Sequence, residues 1–486
     1  MSRLPATPPC AALIGGEWVT TPQSLSVEAP SSATPLAEIA RCQSPQVDAA
    51  VDAARQAFDG ALGTWSQWSA RQRGEWLHRF ADAIDADAET LSALECADTG
   101  KAMRQAKGDI AVCARYFRFY AGAADKLHGE TIPFETDYTV MTLREPYGVC
   151  GQIIPWNYPS QIFGRCIAAA LGAGNTVVLK PAEDACLSVL RLAELAMQCE
   201  LPAGVLNVVP GLGSEAGAAL SGHAGIDHLS FTGSPATGTL VAQAAAANHV
   251  PVTMELGGKS PQIVFADADM DTALATVVKA IIQNAGQTCS AGSRLLVESR
   301  CYDEVVAALT ERFSALRCDA GEADPDCGPL INARQRAKLE DALSAAKADG
   351  IRVAAAGQLA DSAPAEGHFV VPQMLVDVPE GHDVSCEELF GPVLAVQRFE
   401  DEDDAIRLAH TSDFGLCAGI WTRDGGRQLR LAKRIRSGQV FINDYGAAGG
   451  VELPFGGMGR SGHGREKGFE GLKSYTQIKT VAIRHG

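Results

Sequence analysis

An α/β fold is expected for this 486-residue chain, and two alternating regions together with its length point to it. From about Tyr147 to Leu256 short β-branched runs alternate with alanine-rich segments, the pattern of parallel strands joined by crossover helices. A similar alternation resumes near Gln262 and continues to Phe441, which suggests a second α/β domain. The chain is also longer than one ordinary hydrophobic core organises, so two large domains or about three smaller ones are expected.

In chain order, the segments Pro45 to Phe58 and Arg71 to Asp87 read as amphipathic helices, with Val47, Val51, Ala54 and Phe58 at helical spacing. Strands are expected at Val149 to Ile154, Thr176 to Leu179, Val205 to Val209, His228 to Phe231 and Val250 to Met254, with helices between them. This is a Rossmann-like nucleotide-binding layout. The second region opens with a strand at Gln262 to Phe265, a helix at Met270 to Ala285 and a strand at Ser293 to Val297. Two β-like extensions stand apart, Glu130 to Arg144 and Tyr475 to Ile483, and exposed strands of this kind invite pairing with another subunit.

Composition narrows the function. The net charge of −17 and the lack of a long basic run argue against nucleic acid as a partner. No apolar run approaches the roughly 18 residues needed to cross a bilayer, and Met1 to Ala6 has no apolar leader core, so no membrane association and a cytoplasmic location are expected. The 14 cysteines are scattered without a CxxC pair, which favours reduced thiols over disulfides or a metal site.

Cys289 lies in Gln287-Thr288-Cys289-Ser290-Ala291-Gly292, and small neighbours leave a thiol open to attack a carbonyl. Glu255, upstream in Met254-Glu255-Leu256-Gly257-Gly258-Lys259, is a candidate base. Asn157 stands between Pro155 and Pro159, where a rigid loop would fix an amide donor suited to an oxyanion. Lys180-Pro181-Ala182-Glu183 ends a strand, where α/β sheets place ligand crevices and a carboxylate can accept ribose hydroxyls. Phe231-Thr232-Gly233-Ser234 follows a strand and opens a helix, a place for pyrophosphate, although it is neither GxGxxG nor a P-loop. Gly211-Leu212-Gly213-Ser214 is given a turn role only.

Taken in order, Pro-Trp-Asn at 155–157, Lys-Pro-Ala-Glu at 180–183, Phe-Thr-Gly-Ser at 231–234, Glu-Leu-Gly-Gly-Lys at 255–259, Gly-Gln-Thr-Cys at 286–289, Glu-Leu-Phe-Gly-Pro at 388–392 and Pro-Phe-Gly-Gly at 454–457 resemble the NAD(P)-dependent aldehyde dehydrogenase family. The resemblance implies the aldehyde dehydrogenase fold: a Rossmann-like NAD-binding domain (1–125 and 147–256), an α/β catalytic domain (257–434), a β-strand oligomerisation arm (126–146 and 474–486) that builds a homodimer or homotetramer, and a C-terminal segment (435–473) at the active-site entrance. It implies oxidation of an aldehyde to the acid through a thiohemiacetal and a thioester on Cys289, with Glu255 activating water and Asn157 holding the oxyanion. It further implies NAD as cofactor, with NADP the alternative, and contacts from Ile154, Trp156, Lys180, Glu183, Phe231, Gly233, Ser234, Gly257, Glu388 and Phe390. No metal is implied.

For the substrate, the resemblance assigns Tyr158, Arg165 and Phe455. Tyr158, Gln161 or Ile162, and Arg165 share a helix face by spacing. An arginine at position 165 is found in family members acting on acidic semialdehydes, where it grips a carboxylate, and in some acting on aromatic aldehydes. A semialdehyde acid or polar aromatic aldehyde is therefore expected. Against this, Gln283 stands where the semialdehyde members carry a second arginine, and the 446–450 and 462–466 segments resemble the betaine-aldehyde branch. A betaine-aldehyde-like or broad aliphatic enzyme is the alternative, ahead of a coenzyme A-acylating enzyme or a non-catalytic relative. Cys166 replaces a lysine that many members pair with the glutamate matching Glu466.

Overall fold

The computed structural model describes residues 8–59 and 64–486, so the Met1 to Ala6 stretch examined for a leader lies outside the described residues. Five parallel strands form the centre of the first sheet, in the spatial order Leu206–Val208, Thr176–Lys180, Val149–Ile153, His228–Thr232 and Val252–Glu255. All five expected strands are present, with ends within two residues of those read from the sequence. An N-terminal hairpin, Ala12–Ile14 and Glu17–Val19, extends one edge. The other edge receives Gly462–His463, which runs antiparallel to Met254 and Glu255.

The second sheet contains seven strands in the order Arg352–Ala356, Gln373–Val376, Val393–Phe399, Arg294–Glu298, Pro261–Val264, Cys417–Trp421 and Gln439–Ile442, parallel except for the first. It runs past position 434, because Gln439–Ile442 pairs along Cys417–Trp421. The expected helix at Met270 to Ala285 ends earlier, at Ile282, and the chain then turns sharply toward Cys289.

A third, antiparallel sheet joins Thr476–Arg484 to Tyr138–Pro146 over nine paired positions, with Thr131–Ile132 on the far side. The expected single strand at Glu130 to Arg144 is thus two, split after Ile132 where Pro133 has no N–H to offer a ladder. Ile478 and Ile483 remain exposed on this arm.

The first core owes much to its helices. In Ser44–Asp59, Val47, Val51 and Ala54 are buried and Phe58 is half-buried, as the spacing required. Helix Ala70–Ala86 starts at a capping box: Ser69 Oγ accepts from Gln72 N, and Gln72 Oε1 accepts from Ser69 N at 2.9 Å. Its Trp76 is fully buried, stacks on Phe80 at 5.1 Å and donates its indole N–H to the Cys199 carbonyl at 2.9 Å. No helix among the described residues is long and apolar enough to cross a membrane. All 14 cysteines are free thiols. Replacing Trp76 with alanine is expected to lower stability by about 3–5 kcal/mol, read from denaturant unfolding; a loss below about 1 kcal/mol would mean that this aromatic stack carries little of the core.

Candidate active site

The ends of both large sheets meet at a cavity of about 1120 Å³. Helix Met270–Ile282 stops because Asn284 and Ala285 adopt left-handed backbone, with φ of 48° and 53°. Asn284 is held there by its own side chain, whose Nδ2 donates to the carbonyls of Asn157 (2.9 Å) and Gln287 (3.3 Å). Gln287 is fully buried; its Nε2 donates to the Asn284 and Pro329 carbonyls, and its Oε1 accepts from Ile331 N at 2.9 Å. The pinned loop presents a half-buried Cys289 to the cavity. Gly258 makes this placement feasible, since a Cβ there would lie 2.2 Å from the Cys289 carbonyl oxygen.

Asn157 reaches the same loop, its Nδ2 donating one proton to the Gln287 carbonyl at 2.9 Å. Its backbone carbonyl is clamped from the other side by Lys101 Nζ at 3.0 Å and Asn284 Nδ2. Lys101 is itself fully buried between Glu95 (3.0 Å) and Asp109 (2.6 Å). Tyr158 is fixed by Thr288 Oγ1 and by Gln283 Nε2, each at 2.8 Å from its hydroxyl. Gln283, noted in the sequence as standing in place of an arginine, therefore donates its amide to the Tyr158 hydroxyl.

Glu255 ends the strand Val252–Glu255 and is 1% exposed, yet neither carboxylate oxygen has a protein hydrogen-bond partner. Burial and the nearby Glu466 raise its pKa well above the ordinary 4.5, against the pull of Arg165, Arg465 and Lys467. Burial also pushes the Cys289 thiol up to about 12, opposed by Arg165 and reinforced by Glu388 and Glu255.

The far end of the cavity suits a dinucleotide. Lys180 Nζ pairs with Glu183 at 2.7 Å, and Glu183 also accepts from Gly213 N at 3.5 Å. Burial alone would raise the Glu183 pKa, but Lys180 holds it below the usual value. The glycine cluster at 211–214 is thus corrected from a mere turn: Gly213 lines the cavity beside the candidate ribose carboxylate. Ser234 caps helix Pro235–Ala246 and the helix N-terminus faces the cavity, an anion-binding arrangement. Gly257 leaves room for Glu388, since a Cβ would meet that carboxylate at 2.4 Å, and Gly258 N donates to Glu388 at 2.9 Å. Phe390 meets Trp156 edge to face at 5.4 Å. Among the described residues, no group of three or more His, Cys, Asp or Glu side chains is placed to hold a metal ion.

Arg165 lines the cavity but is already engaged. It is ion-paired with Glu466, donates to Thr232 Oγ1 at 3.2 Å, and lies 5.4 Å from the centre of the Phe455 ring. Glu466 also accepts from Ser230 Oγ at 2.9 Å and from the Cys166 thiol at 3.4 Å. The cationic partner that Cys166 cannot provide for Glu466 is thus supplied one position earlier, by Arg165. Burial works against the Arg165 charge, but Glu466 reverses the balance and raises its pKa.

The aldehyde dehydrogenase family model matches residues 18–481. This chain belongs to the aldehyde dehydrogenase family. It is 41% identical to an aldehyde dehydrogenase of Aspergillus niger over 484 residues, covering 98% of this chain and 96% of that one. A crystal structure assigned as an aldehyde dehydrogenase, from Burkholderia cenocepacia, is 59% identical with a TM-score of 0.96, covering 98% of this chain and 100% of that one. The NAD+ complex of betaine aldehyde dehydrogenase from Staphylococcus aureus is 35% identical with a TM-score of 0.95, covering 99% of this chain and 95% of that one. The chain is accordingly an oxidoreductase with the α/β aldehyde dehydrogenase fold.

Every site residue expected of the aldehyde dehydrogenase from sequence lines this one cavity: Asn157, Glu255 and Cys289; Ile154, Trp156, Lys180, Glu183, Phe231, Gly233, Ser234, Gly257, Glu388 and Phe390; and Tyr158, Arg165 and Phe455. Sequence reasoning missed Gly213 and Lys467, both cavity-lining. The signal for Gly213 was its position after a core strand, and Lys467 gave none. Replacing Gly258 with alanine is expected to lower kcat on the order of 100-fold by displacing the thiol loop, with circular dichroism unchanged; a loss under about 3-fold would mean the loop yields without harm to the chemistry. Because burial pushes the Cys289 thiol up to about 12, kcat/KM is expected to keep climbing with pH through the alkaline range below that value, as the thiolate form accumulates. A rate that levels off near neutral pH would contradict the raised thiol pKa.

Proposed function

We propose that the enzyme oxidises an aldehyde to a carboxylic acid through a thioester on Cys289, with NAD as the cofactor and an acidic semialdehyde or polar aromatic aldehyde as the substrate. The observation that carries this reading is the buried Glu255 carboxylate with both oxygens free of protein partners, lining the same cavity as Cys289. A buried carboxylate normally has its lone pairs satisfied by the protein. One left available beside a nucleophile is positioned to take a proton from water.

The chain's residues divide the work accordingly. The Cys289 thiol gives up its proton as its sulfur bonds to the aldehyde carbon, and the carbonyl oxygen becomes an oxyanion. Asn157 has one amide proton left after its bond to Gln287, and with the Cys289 backbone N–H it forms the donor pair for that oxygen. NAD, when bound, supplies the acceptor for the hydride that the tetrahedral adduct releases. Glu255 then deprotonates a water that attacks the thioester, giving the acid and restoring the thiol. Availability of this base favours hydrolysis over transfer to coenzyme A.

Support for NAD comes from the fit of the cavity's far end. Its volume exceeds the usual range for a small ligand, so a dinucleotide and an aldehyde can share it. Lys180 and Glu183 would hold the adenosine ribose, Ser234 the pyrophosphate, and Glu388 the nicotinamide ribose beside Phe390. The Glu183 carboxylate disfavours a 2′-phosphate, which supports NAD over NADP. The S. aureus relative, which is a betaine aldehyde dehydrogenase in complex with NAD+, agrees on the cofactor. The two basic side chains lining the cavity with Cys289, Arg165 and Lys467, disfavour a quaternary ammonium substrate here. The nine-position pairing of the C-terminal strand, with exposed Ile478 and Ile483, supports assembly into a homodimer or homotetramer. A cytoplasmic location remains the reading from composition.

The test is pre-steady-state NADH formation with Glu255→Gln and Cys289→Ser. Glu255→Gln is expected to give a burst of about one NADH per site followed by turnover slowed at least 100-fold, while Cys289→Ser gives no burst and binds NAD as the unmodified enzyme does. Sustained turnover in either variant would refute the assigned roles.

A further inference from the structure

The substrate end of the cavity holds two cations, and the protein answers only one of them. Arg165 is engaged by Glu466 and Thr232. Lys467 lines the same cavity, yet its Nζ has no hydrogen bond or ion pair with any described residue. It lies 5.1 Å from the centre of the Phe455 ring and 6.0 Å from that of Tyr116. Burial and Arg165 lower its pKa to about 8, against the pull of Cys417, Cys289 and Glu466. Its placement is built rather than incidental: Phe455 and Glu466 exchange backbone hydrogen bonds of 2.7 and 2.8 Å, which sets the next residue beside the aromatic wall. Lys467 also has φ 59° and ψ 167°, a conformation natural to glycine and unfavourable for a residue with a Cβ. Two unfavourable conditions, an ammonium met only by aromatic rings and a strained backbone, coincide at one cavity-lining residue.

We propose that Lys467 receives a carboxylate carried by the aldehyde substrate, with Arg165 serving to hold Glu466 rather than to grip the substrate. The inference rests on the reading of this cavity as an aldehyde-oxidising site and specifies which residue selects the substrate. Phe455, Tyr158, Phe441 and Tyr445 line the space that the carbon skeleton between the aldehyde and the carboxylate would occupy. Covering the ammonium with a carboxylate supplies the charge-assisted hydrogen bond that the protein itself withholds.

The experiment compares kcat/KM for 4-carboxybenzaldehyde and benzaldehyde in the unmodified enzyme, Lys467→Gly and Lys467→Arg. Glycine suits the backbone at this position, so removal of the charge there should not disturb folding, and an unchanged or higher Tm is expected. Lys467→Gly should lose on the order of 10-fold to 100-fold for the carboxylated aldehyde, mainly in KM, with a much smaller change for benzaldehyde and the KM for NAD unchanged. Lys467→Arg should retain the preference. Equal losses on both aldehydes, or no preference in the unmodified enzyme, would overturn the inference while leaving the aldehyde oxidation intact. If neither aldehyde is oxidised, calorimetric binding of 4-(hydroxymethyl)benzoate against benzyl alcohol decides separately. Tighter binding of the acid that depends on Lys467 would then uphold the clamp although the reaction assignment failed, and equal binding would overturn it.

Discussion

Charge taken out of water must be answered by charge or hydrogen bonds, and that requirement organises the centre of this molecule. Lys101 is answered by Glu95 and Asp109, and with its remaining capacity clamps the carbonyl of Asn157. Arg294, buried behind Lys259, is answered by carbonyl oxygens of Lys259, Leu408 and Ala409. Glu466 is answered by Arg165, Ser230 and Cys166, which belong to a helix and a strand of the first domain. These closed accounts make the exceptions informative. Glu255, which lines the cavity, and the buried Lys259 have side-chain polar atoms that no protein group meets, and the cavity-lining Lys467 ammonium is met only by aromatic rings.

Rigidity around the thiol arises from backbone geometry as much as from side chains. Three consecutive residues from Asn284 to Gly286 have positive φ, and the amides of Asn284, Gln287 and Asn157 cross-tie the loop to the strand end at Pro155–Asn157. The two adjacent glycines after Glu255 divide their duties: Gly257 makes room for Glu388 and Gly258 for the Cys289 carbonyl. A single short motif thereby sets the spacing between the cofactor end and the chemical end of the cavity.

Much of this was legible in the chain. Parallel buried strands are nearly continuous apolar runs, so Thr176–Lys180 announces itself, and motifs at strand ends fall at the sheet edge where ligands bind. Gly213 was misread because a glycine after a strand serves a turn far more often than a ligand, and only the fold brings it to Glu183. Arg165 was correctly placed on a cavity face, but its pairing with Glu466 spans a sequence separation that no local pattern encodes. Lys467 left no trace because its meaning depends on what is absent around its ammonium. The early end of helix Met270–Ile282 was likewise hidden, since left-handed Asn284 is stabilised by contacts made elsewhere in the chain.

The C-terminal stretch has a further consequence for biogenesis. Gln439–Ile442 completes the second sheet, Gly462–His463 lies against strand Val252–Glu255 of the first, and Thr476–Arg484 completes the third. During synthesis the domains can begin to collapse from the N-terminus, but each sheet waits for a strand drawn from the last part of the chain. Contacts of such long sequence separation form late and slowly. Cys289 therefore gains its full enclosure only once the segment from Gln439 to Arg484 has been added, and until then the first sheet presents an open edge of the kind that chaperones are suited to cover.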